Sequence, residues 1–168
     1  MSDNGVIVRS AAWAVDALGA YEALASGPGS ILLEGCGMRR WDVVLTDPVA
    51  SSQGDSLSPD ILGLLEEAWK GSTTISCLPF TGGAAGFLSY EACVRHGSRV
   101  RPRHETIRPG VWFGMYDRAL LIDRSSNRCY AVINTSMGDG CVDDAVSMLK
   151  RTKRARMHAA KRSLHAST

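Results

Sequence analysis

The side chains that most often carry out chemistry in proteins are widely separated in this sequence. Its four histidines lie in predicted loops or near the C-terminus, with no serine or aspartate set organised around them; they are His96, His104, His158 and His165. Cys93 and His96 have a spacing compatible with a nucleophile and its base, but this is not the favoured interpretation. The adjacent carboxylates Glu66-Glu67 and Asp143-Asp144 lie in predicted helices, where neighbouring residues point in different directions. The sequence therefore indicates no acid–base pair.

The cysteines also occur singly and form no Cys-x-x-Cys pair; they are Cys36, Cys77, Cys93, Cys129 and Cys141. An odd number of scattered cysteines is typical of reduced thiols in a cytoplasmic protein. Because a zinc site needs close ligand pairs, we expect no metal ion and no cofactor in this chain. The polar start of the sequence lacks the basic region of a signal peptide, and no apolar run approaches the ~18 residues of a membrane span. We therefore expect a cytoplasmic location.

Three glycines, Gly82, Gly83 and Gly86, lie close together in the stretch Leu78 to Glu91. Their spacing fits neither the phosphate-binding pattern G-x-x-x-x-G-K-[ST] nor the dinucleotide pattern G-x-G-x-x-G. Glycine lets one backbone approach another closely and takes positive φ. The bulky residues Phe87, Leu88 and Tyr90 follow, so we predict a turn that leads into a buried strand.

Charge divides the chain into two unequal parts. Residues 1–149 contain 12 Lys and Arg against 17 Asp and Glu, whereas residues 150–168 contain seven basic residues and no acid. We therefore predict a domain over 1–149 and a basic C-terminal tail or linker remnant over 150–168. The basic part attracts phosphate but has no aromatic residue for base stacking, so nucleic acid is not the favoured partner. A second basic stretch, residues 95–108, contains five arginines and is either a solvated loop or an anion-binding edge.

Apolar periodicity predicts three helices. The first runs from Ala11 to Ser26 and ends before the stop signal Gly27-Pro28. Its apolar residues recur near helical spacing; they are Val15, Leu18, Tyr21 and Leu24. The second begins at the N-cap Ser58 and ends at Gly71 as the C′ residue. Its predicted apolar face contains Ile61, Leu62, Leu64, Leu65, Ala68 and Trp69. The third runs from Val142 to about Lys161.

The remaining pattern is that of antiparallel strands. We predict strands at 6–8, 30–34, 41–46, 111–123 and 128–134, with hairpins between 30–34 and 41–46 and between 111–123 and 128–134. Residues 51–55 are a predicted polar loop, and residues 91–96 a short helical turn. The strands are joined by hairpins and not by βαβ units, and there are few helices. This pattern indicates an α+β fold with antiparallel sheets.

Three stretches, in order along residues 25–135, resemble one enzyme family. Pro79 to Glu91 is similar to P-F-x-G-G-x-x-G-[YF]-x-[SG]-Y-[DE]. Gly29 to Glu34, with Arg40-Trp41 and Asp47-Pro48, is similar to F-L-L-E-S … R-[YF]-S … A-D-P. Trp112 to Asp123 is similar to W-F-x-x-[YF]-D-x-x-x-[VI]-x-D. These patterns belong to the N-terminal domain of component I of anthranilate synthase and of aminodeoxychorismate (para-aminobenzoate) synthase.

The resemblance implies two antiparallel sheets packed as a sandwich with flanking helices. It also places catalysis and Mg²⁺ binding in a separate chorismate-binding domain, whose motifs are missing from this sequence, so we assign no catalytic residue. The implied partners are that domain in trans and a glutamine amidotransferase component II. The chain is then a split subunit or a truncated fragment of an enzyme of folate or tryptophan biosynthesis.

In the anthranilate synthases of this family, the L-L-E-S strand end helps form a pocket for feedback tryptophan. Leu33, Glu34 and Gly35 occupy the matching positions here, and Gly35 replaces the serine. The loss of that hydroxyl removes a donor and an acceptor, which favours the aminodeoxychorismate branch. The alternative for Leu33 and Glu34 is a core strand with one exposed acid. By the same resemblance, Gly82, Gly83, Gly86 and Tyr90 are a structural motif.

Three classes of function remain open from the sequence. The first is a non-catalytic domain of a chorismate-utilising synthase. The second is a free-standing regulatory module that binds an aromatic amino acid. The third is a binder of nucleic acid or of an acidic surface through residues 150–162.

Overall fold

In the computed structural model the backbone is described for residues 2–3, 5–13, 15–35, 40–90, 92 and 109–165. Within these residues the chain forms nine strands and three helices. The strands are β1 (Ser2–Asp3), β2 (Val6–Ala11), β3 (Ile31–Leu33), β4 (Trp41–Leu45), β5 (Ala50–Gly54), β6 (Gly83–Leu88), β7 (Val111–Tyr116), β8 (Arg118–Asp123) and β9 (Arg128–Asn134). The helices are α1 (Ala17–Leu24), α2 (Pro59–Gly71) and α3 (Val142–His165).

The strands form two antiparallel sheets. One has six strands in the order β1-β2-β9-β8-β4-β3, and the other has three in the order β5-β7-β6. A core between them joins Tyr116 and Trp112 of β7 and Ala85 of β6 to Leu121 and Val43 of the larger sheet. The α+β sandwich expected from the sequence is therefore confirmed.

Helices cover the outer face of each sheet. Residues of α1 and α3, such as Ala20 and Ala145, share a core with Leu120, Ala131 and Ile133 of the larger sheet. On the smaller sheet, Ile61 of α2 packs with Val111 of β7. The protein thus has four layers, in the order α1 with α3, the larger sheet, the smaller sheet and α2. No helix among the described residues is long and apolar enough to cross a membrane.

The predicted hairpins and strand starts agree with the structure at several points. β3 pairs with β4, with Leu33 opposite Val43, and β8 pairs with β9 across the four-residue turn 124–127. The opening strand is present and is longer than predicted, because β2 pairs along its whole length with β9. The predicted turn at 91–96, apart from Ala92, and the whole arginine-rich stretch 95–108 lie outside the described residues.

The first predicted helix is shorter than expected. Residues up to Ala11 belong to β2, and the helix begins after Asp16, whose Oδ1 accepts a hydrogen bond from Gly19 N at 2.7 Å. Leu18, one of the apolar residues that gave the helical spacing, is 56% exposed, because Ala17, Ala20 and Leu24 form the packed face. Small residues there let α1 approach α3 and the sheet closely.

Two strand predictions were wrong. Residues 51–55 were predicted as a loop, but Ala50–Gly54 is the edge strand β5, which pairs with β7 despite its polar side chains. The segment 111–123 was predicted as one strand, but it is two, and they belong to different sheets. The change occurs at Asp117, which is fully buried and accepts hydrogen bonds from the Arg118 guanidinium at 2.9 and 3.1 Å.

Helix α2 begins as predicted, with Ser58 Oγ accepting a hydrogen bond from Ile61 N at 3.3 Å. Its end differs by one residue: Gly71 is the last helical residue, and Ser72 is the C-cap in an extended conformation. The apolar face predicted for α2 was too wide, because two of its six residues are exposed. Ile61, Leu64 and Ala68 are buried, but Leu62 is 52% exposed and Trp69 is 81% exposed.

Candidate functional site

The predicted ligand segment lies at the end of β3, an edge strand of the larger sheet. Leu33 is about half exposed, Glu34 is exposed, and Gly35 is buried. Ile31 packs in the core between the sheets, whereas Leu32 packs toward the helices on the other face. By strand alternation, Leu33 therefore lies on the same face as Ile31, at the open margin of the sandwich.

Gly35 is fixed by two charged residues. Its N–H donates to Asp42 Oδ1 at 2.8 Å, and its carbonyl oxygen accepts from Arg124 Nη1 at 2.7 Å. Arg124 also donates to both carboxylate oxygens of Asp42, at 2.7 and 2.6 Å. This bidentate geometry is the strong form of an Arg–carboxylate pair. The backbone of Gly35 is therefore held by a side chain that is 89 residues away in the sequence.

A second ion pair lies beside the first. Arg40 bonds to Asp123, and the pKa of Asp123 is lowered well below its ordinary value by this contact and by hydrogen bonds from Ser125 and Ser126. The Arg40 guanidinium also lies 4.8 Å from the ring centroid of Trp41. The backbone links the two pairs, because Arg124 N donates to Arg40 O at 2.9 Å. We call Gly35, Arg40, Asp42, Asp123 and Arg124 the β3-end cluster.

The chemistry of the β3-end cluster is that of binding and positioning. Both of its carboxylates accept hydrogen bonds from a guanidinium, and at Asp123 this contact favours the ionised form. Cys129 and Tyr116, in contrast, are held in their neutral forms by burial. Burial raises the pKa of the Cys129 thiol and raises the pKa of Tyr116 to about 12. Tyr116 donates its hydroxyl hydrogen to Gly29 O.

The glycine-rich segment has the backbone geometry that glycine permits. Gly82 and Gly83 have φ of +108° and +148°. At Gly86, an added Cβ would overlap the carbonyl oxygen of Trp112 and lie 2.7 Å from Phe113 Cα. The neighbouring strand β7 therefore leaves no room for a side chain at this position.

The strand predicted after the glycines is present, but its second half is not buried as predicted. Phe87 is 49% exposed, Leu88 is 39% exposed and Tyr90 is 79% exposed. β6 is an edge strand of the smaller sheet, so one of its sides has no neighbouring strand in that sheet. Large exposed apolar side chains of this kind often mark an interaction surface.

The sequence analysis did not single out Asp42, Asp123 or Arg124 as site residues. A signal was present, because Asp42 interrupts the apolar strand Trp41–Leu45, and Asp123 ends the apolar strand that precedes the turn. A buried acid in such a strand needs a partner. The partner itself lies 82 residues away in the first case, so only the fold shows it.

Two further features bear on ligands. Among the described residues, no three His, Cys, Asp or Glu side chains approach closely enough to hold a metal ion. A separate open cleft of about 460 Å³ is lined by Gln53, Gly54, Asp55 and Pro109. It lies beside β5 and shares no residue with the β3-end cluster.

No model of a protein family matches the sequence, and no curated protein matches it either. The fold is similar to a solved structure, the anthranilate synthase component I from Streptococcus pneumoniae TIGR4, with a TM-score of 0.52 and 20% sequence identity. The match covers 78% of this chain and 32% of that chain. The protein therefore shares a fold with part of that enzyme and spans about a third of its length.

Proposed function

We propose that this protein is the non-catalytic N-terminal domain, structural or regulatory, of a chorismate-utilising synthase. The observation that carries the proposal is the likeness of fold to part of an anthranilate synthase component I. The three resembling stretches support it, because they form the β3–β4 hairpin, β6 and the β7–β8 segment. These elements contribute strands to both sheets and include the edge strands β3 and β6.

Within this class, we propose a component I of the aminodeoxychorismate type, which serves para-aminobenzoate and folate synthesis. Gly35 supports this branch, since it lacks the hydroxyl found at the matching position of tryptophan-regulated enzymes. The backbone N–H and C=O of Gly35 are both bonded to charged side chains. The alternatives are the anthranilate branch of tryptophan synthesis and a free-standing module that binds an aromatic amino acid.

The proposal implies a chorismate-binding domain in trans, which would hold Mg²⁺, and a glutamine amidotransferase component II. Exposed apolar side chains support a partner of this kind. Trp69 on α2 and Tyr90 after β6 are the most exposed of the large apolar residues described, at 81% and 79%. Residues of these types are the usual anchors of protein interfaces.

Reconstitution tests the proposal. The purified chain is assayed with chorismate, Mg²⁺ and ammonia, first alone and then with a chorismate-binding domain captured from the native host. We expect no turnover from the chain alone and an increase in the domain's turnover when the chain is added. Formation of aminodeoxychorismate or of anthranilate decides the branch. Turnover by the chain alone, or no effect of the chain on the domain, would contradict the proposal.

A pair of variants makes the assay specific. Trp69→Gln with Tyr90→Ser should weaken reconstitution, because it removes two apolar anchors. Leu18→Gln is the matched control, since Leu18 is also exposed, at 56%, but lies on α1. Equal losses for the two variants would show that these anchors do not contact the partner.

A further inference from the structure

We propose that the outward face of α3 is a binding surface for the phosphate backbone of nucleic acid, independent of base sequence. The inference does not depend on the proposed synthase function. The inference rests on the orientation of α3. One side of the helix packs against the rest of the domain, so the other side exposes a row of cations to solvent. From the sequence alone, this partner was disfavoured, because the basic region has no aromatic residue for base stacking and the rest of the chain is acidic.

The attachment of α3 to the body is well defined. Ala145, Met148 and Thr152 are buried and follow helical spacing, so they form one side of the helix. The Thr152 hydroxyl donates to the carbonyl oxygens of Met148 and Leu149, at 3.2 and 2.9 Å. Arg151 reaches the last turn of α1 and donates to the carbonyl oxygens of Ala23 and Leu24, at 3.1 and 3.3 Å. These contacts continue past residue 150, so the fixed part of α3 extends into the basic region.

The opposite side of α3 is cationic. Lys150, Lys153 and Arg154 are exposed, whereas Arg156, also exposed, lies four residues after Thr152 and therefore on the packed side of the helix. Lys150 and Arg154 are one turn apart and lie about 160° around the helix from Thr152. No acidic residue follows Asp144 in the chain, and none of Lys150, Lys153 and Arg154 forms an ion pair with a described residue. Their charges are therefore available to an external anion.

The type of anion follows from the side chains that accompany the cations. A helix that lies in a membrane surface inserts an apolar face, but Ala145, Met148 and Leu149 of α3 already pack in the core with the larger sheet. Residues 150–168 contain no aromatic residue, so the surface offers neither an interface anchor nor a base-stacking platform. Long, flexible cations without anchors suit a regular row of phosphates, where affinity comes from released counterions.

Fluorescence anisotropy of the full chain with a labelled DNA duplex of about 20 base pairs, between about 50 and 200 mM salt, tests this proposal. We expect a dissociation constant of about 10⁻⁴–10⁻⁶ M that rises steeply with salt. Lys150→Gln with Arg154→Gln should reduce the slope of log K against log salt by about 2. Arg154→Lys, which keeps the charge, should leave the slope unchanged.

The matched control is Lys70→Gln with Arg128→Gln, which removes the same charge from exposed residues of α2 and β9. This control should keep the parent's slope, and all variants should keep the parent's circular dichroism spectrum. Equal losses in the control and the α3 variant would overturn the proposal, as would the absence of binding at the lowest salt. Salt-sensitive self-association without DNA binding would mean that α3 contacts the acidic body of a second copy. Binding only to anionic vesicles would mean a lipid surface instead, and either result rejects nucleic acid.

Discussion

Gly86 of β6 lies close to the backbone of the neighbouring strand β7. Gly86→Val should lower the free energy of unfolding by about 1–3 kcal/mol or more, because the new side chain meets the backbone of Trp112 and Phe113, which cannot rotate away. Denaturant unfolding measures the change. Gly63→Ala is the control, since a Cβ there meets nothing within 4 Å and alanine favours the helix by up to ~1 kcal/mol. A Gly86→Val protein as stable as the parent would show that β6 and β7 are not in close contact.

Asp123 gives the protein a predictable response to acid. Its pKa is lowered in the folded state by Arg40 and by the serines of the following turn. Its contribution to stability is therefore fully present above its unfolded pKa of about 3.9 and is lost as the pH falls below that value. We expect stability measured by thermal unfolding to fall between about pH 4 and pH 2.

Arg40→Met should reduce this dependence. Without the guanidinium, the folded pKa of Asp123 rises toward its unfolded value, so less of the stability depends on its ionisation. The variant should be less stable than the parent at neutral pH, and the difference should narrow as the pH falls through the same range. A constant difference at every pH would show that Arg40 acts by packing on Trp41 and not through the charge of Asp123.

At the scale of elements, α2 shows how the sheet selects one face of a helix. Leu62 and Leu64 are two residues apart on the same helix, but Leu62 is 52% exposed and Leu64 is 8% exposed. Leu64→Ala should cost about 2–4 kcal/mol of unfolding free energy through lost burial and a cavity. Leu62→Ala should change stability by no more than ~0.5 kcal/mol. Comparable losses at both positions would mean that Leu62 is covered in solution.

At the scale of the whole molecule, the β3 end is open. Leu33 and Glu34 are exposed at the margin of the sandwich, so a bound amino acid would keep its charged groups largely in water. The few contacts available hardly exceed the entropy cost of binding. We expect calorimetry to give a dissociation constant for tryptophan weaker than about 10 μM, equivalent to ~7 kcal/mol.

Gly35→Ser should not restore tight tryptophan binding, because one hydroxyl does not enclose the ligand. A dissociation constant below about 10 μM for the parent would show a complete site on this chain. The regulatory-module alternative would then replace the synthase-domain proposal.

The elements that local interactions specify could be predicted from the sequence. Ser58 and Pro59 define the start of α2, because a side-chain acceptor and a missing N–H both suit a helix N-terminus. The turn after Asp123 and the pairing of β3 with β4 were also predictable, since the signals lie within a few residues of each other. These signals were enough for the α+β class and, with the family resemblance, for the sandwich.

Features that depend on residues far apart in the sequence could be recognised only in the folded protein. The polar strand β5 exists because β7 offers it a hydrogen-bonding edge, and no local preference of its serines predicts this. The β3-end cluster joins Gly35 and Asp42 to Arg124, and the register between β4 and β8 brings these residues together. Tertiary packing also decides which apolar residues of α2, β6 and α3 remain exposed. These outcomes are set by packing between elements, which a pattern along one chain does not contain.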